Sequence, residues 1–94
     1  MEEYPSEETL TRIHDWTPEK WTKEEFHKFM AFVHDNWKYA NDGYWEQDHN
    51  HYAIHTAGWS GNEDIVLAMQ GNYIFWSLFW QSHTRGGHFT FESL

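Results

Sequence analysis

The sequence predicts an α+β domain with N-terminal helices, a small antiparallel β-sheet, and a C-terminal helical segment or hairpin followed by a closing strand. Three observations predict it. Phe26, Phe29, Met30, Val33, Trp37 and Ala40 recur at the i, i+3, i+4, i+7, i+11, i+14 spacing of one helix face. Apolar and polar residues alternate with period two over residues 51–56 and 88–92, as in half-buried strands. Glycine-bearing turns punctuate the chain near residues 43, 58–61, 71 and 85–87. At 94 residues without cysteine, the chain is read as one domain, 1–94. It is helical and acidic over 1–43 and β-β-α-α-β over 44–94, and packing rather than disulfides or thiolate metal sites must hold it together.

In chain order, Ser6 is placed to cap a short helix over 6–15, with Glu7 and Glu8 suiting the positive end of its dipole. Thr17-Pro18 is a second start signal, and Thr22-Lys23-Glu24-Glu25 is a third with the capping-box pattern. The main helix follows and is expected to end near Asn41-Asp42-Gly43. Beyond it the spacing predicts a strand at 44–46, a polar turn, and a strand over 51–56 with Tyr52 and Ile54 on one face and His51, Ala53 and His55 on the other. Ser60-x-x-Glu63 reads as a capping box opening a helix through Ile65, Ala68 and Met69, which Gly71-Asn72 interrupts. Ser77, Gln81 and Thr84 form a polar stripe that favours a second helix over 73–84, stopped at Gly86 or Gly87. A closing strand then carries Phe89 and Phe91 on one face.

Fifteen acids against six bases give a formal charge of −9, and all of the acids but Glu63, Asp64 and Glu92 precede residue 50. Such a field repels a phosphate backbone, so direct nucleic-acid binding is not expected, while a protein with a basic surface is. The expected partner surface comprises Glu7, Glu8, Asp15, Glu19, Glu24, Glu25 and Asp42, with Trp16, Trp21 and Tyr44 as aromatic anchors; Glu2 and Glu3 extend the acidic run. Seven Trp, seven Phe and five Tyr make 20% of the chain aromatic. Each ring can bury roughly 150–250 Å², more than so short a chain readily encloses, so some rings are expected on a binding or homo-oligomer interface. The opening residues carry no positive or apolar segment of a signal peptide, and the apolar stretch over 73–80 is far short of the ~20 residues that span a bilayer. An intracellular protein without membrane contact is expected.

Two strings are the most specific in the chain: His55-Thr56-Ala57-Gly58-Trp59-Ser60-Gly61-Asn62-Glu63, and, after Phe75-Trp76 and Trp80, Arg85-Gly86-Gly87-His88-Phe89. On these the C-terminal part of the chain resembles a family of small proteins encoded by bacteriophages and prophages, with a T-A-G-W-S-G-N-E turn and a distal R-G-G-H-F motif. The resemblance implies a phage-type protein of the bacterial host's cytoplasm and carries no activity with it. The acidic half, 1–43, lies outside it.

The residues of the two strings suggest a pocket for a small anionic, nucleotide-like ligand. Backbone N–H groups of Gly61 and Asn62 at a helix start suit an anion, Ser60 adds a hydroxyl, Trp59 a stacking face, and Arg85 with Gly86, Gly87 and His88 a cationic turn. The plainer reading is structural: a capping box and a helix stop. One straight helix over 62–84 would hold the two turns roughly 33 Å apart, whereas a reversal at Gly71-Asn72 would let them meet. Asp48, His49, His51 and His55 are the one candidate metal set, with the imidazoles taken to share a strand face. His14, His27, His34 and His83 read as scattered helix positions. No cofactor is expected. An enzyme is the least favoured class, because Asn62 stands where a G-x-S-x-G elbow requires glycine.

Overall fold

The structure, a computed structural model, describes residues 4–93. In chain order these form α1 (Glu7–His14), α2 (Lys23–Asp35), a one-turn 3₁₀ helix (Ala40–Asp42), β1 (Trp45–Gln47), β2 (His51–His55), α3 (Ser60–Gly71), α4 (Tyr73–Phe79), β3 (Trp80–Thr84) and β4 (His88–Glu92). The four strands make one antiparallel sheet in the order β1-β2-β4-β3. The α+β class therefore holds, with one strand more than the sequence pattern announced.

Helix starts follow their caps. The Ser6 hydroxyl accepts from the Thr9 amide (3.0 Å) and the Thr22 hydroxyl from the Glu25 amide (3.1 Å), each satisfying a donor that the first turn leaves open. No helix begins at Thr17-Pro18. The buried face of α2 is Phe26, Phe29, Met30 and Val33, as its periodicity requires. The helix ends at Asp35, well short of Gly43. Trp37 explains the difference: its indole Nε1 donates to the carbonyls of Tyr44 and His55, both at 3.2 Å, and this pulls the chain off the helix axis onto the sheet. The turn that results puts Tyr39 in the left-handed region at φ 65°.

The sheet buries one face. Tyr52 pairs with Phe91, Ile54 with Phe89 and Trp45 with Ile54, and all five side chains are buried. Phe26 of α2 meets Tyr52 edge-on at 5.4 Å, while Phe75 and Trp76 of α4 reach Phe91 at 5.7 and 5.5 Å. Ile65, Val66 and Met69 of α3 complete the core. On the opposite sheet face His51, Ala53, His55, His88 and Thr90 are half-buried.

Residues 73–84 are not one helix. The backbone turns extended at Trp80 (φ −69°, ψ 133°), and residues 80–84 pair with β4. Of the polar stripe, Ser77 alone is helical; Gln81 bonds Glu92 and Ser82 bonds Thr90 across the hairpin. Gly86 and Gly87 consequently stop no helix. At φ 90° and 83° they form the β3–β4 turn, a conformation that side-chain-bearing residues resist.

Candidate functional site

Two buried asparagines fix the ends of α3. The Asn62 side chain accepts from the Lys38 amide and donates to the Lys38 carbonyl, both at 3.0 Å, and donates again to the Thr56 carbonyl at 3.4 Å. It thus ties the loop after α2 to the helix start. Asn72 donates to the carbonyls of Ile13 (3.0 Å) and Trp16 (2.8 Å), and its oxygen accepts from the Phe75 amide (3.4 Å). This fastens the end of α1 to the α3–α4 joint. Gly71 serves the same junction, since a Cβ there would run into the His14 imidazole.

The Ser60–Glu63 capping box does not form. Trp59 is the N-cap, Ser60 is the first helical residue, and the Glu63 amide bonds the Trp59 carbonyl at 3.1 Å. The left-handed pair Ala57 (φ 58°) and Gly58 (φ 69°) turns the chain one residue early for Ser60 to cap. The Trp59 ring folds back over Gly61, stacks on Tyr4 at 5.4 Å, and has the Lys38 ammonium 4.8 Å from its centroid. The Ser60 hydroxyl accepts from the Tyr4 hydroxyl at 2.8 Å.

The strings that bear the two glycine turns meet at Thr56 and Gly87. The Thr56 amide donates to the Gly87 carbonyl at 3.0 Å, and a Cβ on Gly87 would strike the Thr56 hydroxyl. Pairing of β4 with β2 brings them together, in place of the helical hairpin expected from Gly71-Asn72. Beside this contact lies a cleft of about 360 Å³ whose walls include Glu63, Leu67, Gln70, His83 and Gly87. Trp59, Ser60 and Arg85 do not line it. With Asn62 buried in a backbone clamp and the Glu63 carboxylate in the wall, the cleft sets a negative charge against an anionic ligand and is lined by no Lys or Arg to offset it.

The expected metal set is divided. His49 lies in the β1–β2 turn, outside the strand that was to give it a common face with His51, and its amide donates to the Asp48 carboxylate at 2.8 Å. His51 and His55 stand on the half-buried outer face of the sheet, with His55 5.5 Å from His88 and its Nδ1 accepting from the Ala57 amide. Among the described residues no group of three or more His, Asp or Glu is placed to hold a metal ion.

A different histidine group converges instead. His27, Ala31, His34 and Asp35 of α2 face Gln47, Asp48, His49 and Tyr52 across a cleft of about 680 Å³. Their i, i+4, i+7, i+8 spacing was the available signal. Here His27 Nδ1 lies 2.7 Å from the Tyr52 hydroxyl. Burial raises the Tyr52 pKa above the ordinary tyrosine value, so the phenol keeps its proton beside the imidazole.

On the acidic side, α1 is flanked by two adjoining grooves. One, about 700 Å³, is lined by Glu7, Glu8, Thr9, Thr11, Arg12 and Phe32; the other, about 480 Å³, by Thr11, Arg12, Asp15, Trp16, Thr17 and Pro18. The Arg12 guanidinium lies over Phe32 at 4.7 Å and Trp16 at 5.4 Å, dividing them. Glu7, Glu8, Asp15, Glu19, Glu24 and Asp42 are exposed. Glu25 is half-buried, accepting from the Trp16 indole at 2.8 Å and pairing with Lys28. Glu2 and Glu3 lie outside the described residues. Trp16 and Trp21 are not free anchors: both pack edge-on against Phe29, and Trp21 also against Phe75 and Phe79. Tyr44 belongs with Tyr39 and His55 beside the sheet.

Fold and surface together define a small α+β protein with an acidic, aromatic-lined groove system and a clamped helix at its centre. No protein-family model, curated protein or solved structure matches the chain. Among the described residues no helix is long and apolar enough to cross a membrane.

Proposed function

We propose that this chain is a non-enzymatic, phage-type binding protein of the bacterial host cytoplasm, which neutralises a host protein, such as a component of antiviral defence, by occupying its basic surface. The observation that carries the reading is the pair of grooves along α1, lined by Glu7, Glu8 and Asp15 together with Phe32 and Trp16, where the chain's own Arg12 already rests on the two rings and a partner's basic side chain would join or displace it. Acids beside partly buried rings are the arrangement in which a basic side chain finds both a counter-charge and an apolar seat for its methylenes. The net charge of −9 would speed the encounter with such a partner. The resemblance to phage and prophage proteins supports a host protein as the target.

The test is affinity capture from bacterial lysate with the wild type and with Glu7→Gln/Glu8→Gln/Asp15→Asn, each at low and at physiological salt. A partner held by the wild type at low salt, and lost by the variant and on raising salt, supports the proposal. Capture indifferent to both refutes it.

A further inference from the structure

The chain has a second surface of opposite character. From residue 65 to residue 84 it contains no Asp, Glu, Lys or Arg, in a protein of net charge −9. This stretch supplies most of α3, all of α4 and all of β3. Phe75 and Phe79 turn inward, while Tyr73, Ile74, Ser77 and Leu78 turn outward. Trp76 stacks on Trp80 at 5.8 Å and 15°, so the apolar ledge of α4 runs without a break into β3. At the far end of β3, His83 stacks on Phe89 at 4.1 Å and shares its cleft with the exposed Leu67.

β3 is an edge strand, and all five of its residues are exposed. Proteins usually protect such edges with charge, proline, brevity or a bulge. The opposite edge, β1, is three residues long and carries Glu46. β3 has only a register shift near Gln81, and 82–84 run regularly to the turn. Leu67, Tyr73, Ile74, Leu78 and Trp80 are 62, 78, 58, 40 and 40% exposed. Side chains of this size offer together roughly 500 Å² of apolar surface, and the strand edge brings the face near the ~800 Å² per partner of a standard interface.

We infer that the α4–β3 face joins two copies of this chain in a two-fold dimer, edge strand to edge strand with the α4 ledges packed beside them. Charge selects the occupant. Across a two-fold axis the same patch lies on both sides, so a surface of one predominant sign, such as the acidic half of this chain, repels its own copy. The uncharged stretch is where two chains of charge −9 can touch without that penalty. A basic partner, by contrast, would be drawn to the acids of α1 and find nothing here to attract it.

Light scattering coupled to size-exclusion of the full chain tests the inference, using wild type, Ile74→Glu/Leu78→Glu, and Glu7→Gln/Glu8→Gln as a control on the acidic side. Expected are a mass of twice 11.4 kDa for the wild type and the control, and the monomer mass for the α4 variant. Hydrogen exchange of wild type at high and low concentration gives an independent reading, since amides of 80–84 should be protected about tenfold or more on concentration even if the variant misfolds. A wild type that stays monomeric with no added protection at 80–84, a dimer equally stable in the α4 variant, or a mass that grows without limit would each overturn it.

Discussion

Asn72 holds three parts of the fold with one amide, and replacing it separates capping from clamping. Its oxygen caps α4 through the Phe75 amide, while its nitrogen donates to the carbonyls of Ile13 and Trp16 at the end of α1, with the side chain only 3% exposed. Asn72→Ala removes all three bonds. Ile13 retains acceptance from backbone amides at the end of α1, so the Trp16 carbonyl and the Phe75 amide are the groups left short of a partner. At about 1–3 kcal/mol for each stranded group, the loss is on the order of 3 kcal/mol. Against a total of roughly 5–14 kcal/mol for a chain of 94 residues, that is a large share, worth on the order of 15 °C in melting temperature. Asn72→Asp is the decisive companion. Asp caps a helix about as well as Asn, so if capping were the whole role this variant would melt with the wild type. Because Asp also offers no donor and sets a carboxylate against two carbonyls, it should be at least as unstable as Asn72→Ala. Urea unfolding of the three proteins decides it, and an Asn72→Asp midpoint within experimental error of wild type refutes the clamp.

Other outcomes follow from the same contacts. Gly87→Ala should cost more than Gly86→Ala by thermal melting: both glycines have positive φ, but only at Gly87 does a methyl meet the Thr56 hydroxyl, and equal losses would remove the close approach as a cause. In an alkaline spectrophotometric titration one of the five tyrosines should ionise after the rest, and Tyr52→Phe should abolish that last step. The sign for stability follows: burial raises the pKa of Tyr52 in the fold above the unfolded value of 10.0, so its contribution is whole below that pH and lost as pH rises through the folded pKa. Alkaline unfolding that Tyr52→Phe leaves unshifted would contradict this.

What could be read from sequence divides along a physical line. The start of α2 is legible because Thr22 and the Phe26–Val33 face act within the helix itself. Its end is not, because Trp37 is drawn away by carbonyls of Tyr44 and His55, which sequence spacing does not bring near. β3 was hidden for a similar reason: Trp80-Gln81-Ser82-His83-Thr84 has no period-two apolar pattern because every residue is exposed, and it becomes a strand through pairing with β4. Whether the strings bearing the two glycine turns meet was left open by the sequence, because their approach depends on the pairing of β4 with β2, which local spacing does not announce. The acids of α1 were readable as exposed charge. That Trp16 and Trp21 are claimed by Phe29 was not, since the same residue type serves core and interface equally well.

The separation of charged and uncharged surface gives the two proposed interactions opposite responses to salt. Two chains of charge −9, taken as points about 25 Å apart on the scale of a molecule 34 × 26 × 21 Å, repel by about 13 kcal/mol in unscreened water. With a Debye length of ~30 Å at 0.01 M that becomes about 6 kcal/mol, and with ~8 Å at 0.15 M it is under about 1 kcal/mol. The apolar contact between α4 ledges changes little over this range, so dimerisation through the α4–β3 face should tighten as salt rises, by several powers of ten at the point-charge limit. Capture of a basic partner by the grooves of α1 should weaken over the same interval, because there screening removes attraction. Measuring both on one preparation distinguishes the surfaces without any substitution. A dimer that dissociates as salt is raised would mean that opposite charges, and not the uncharged stretch of 65–84, hold the two copies together.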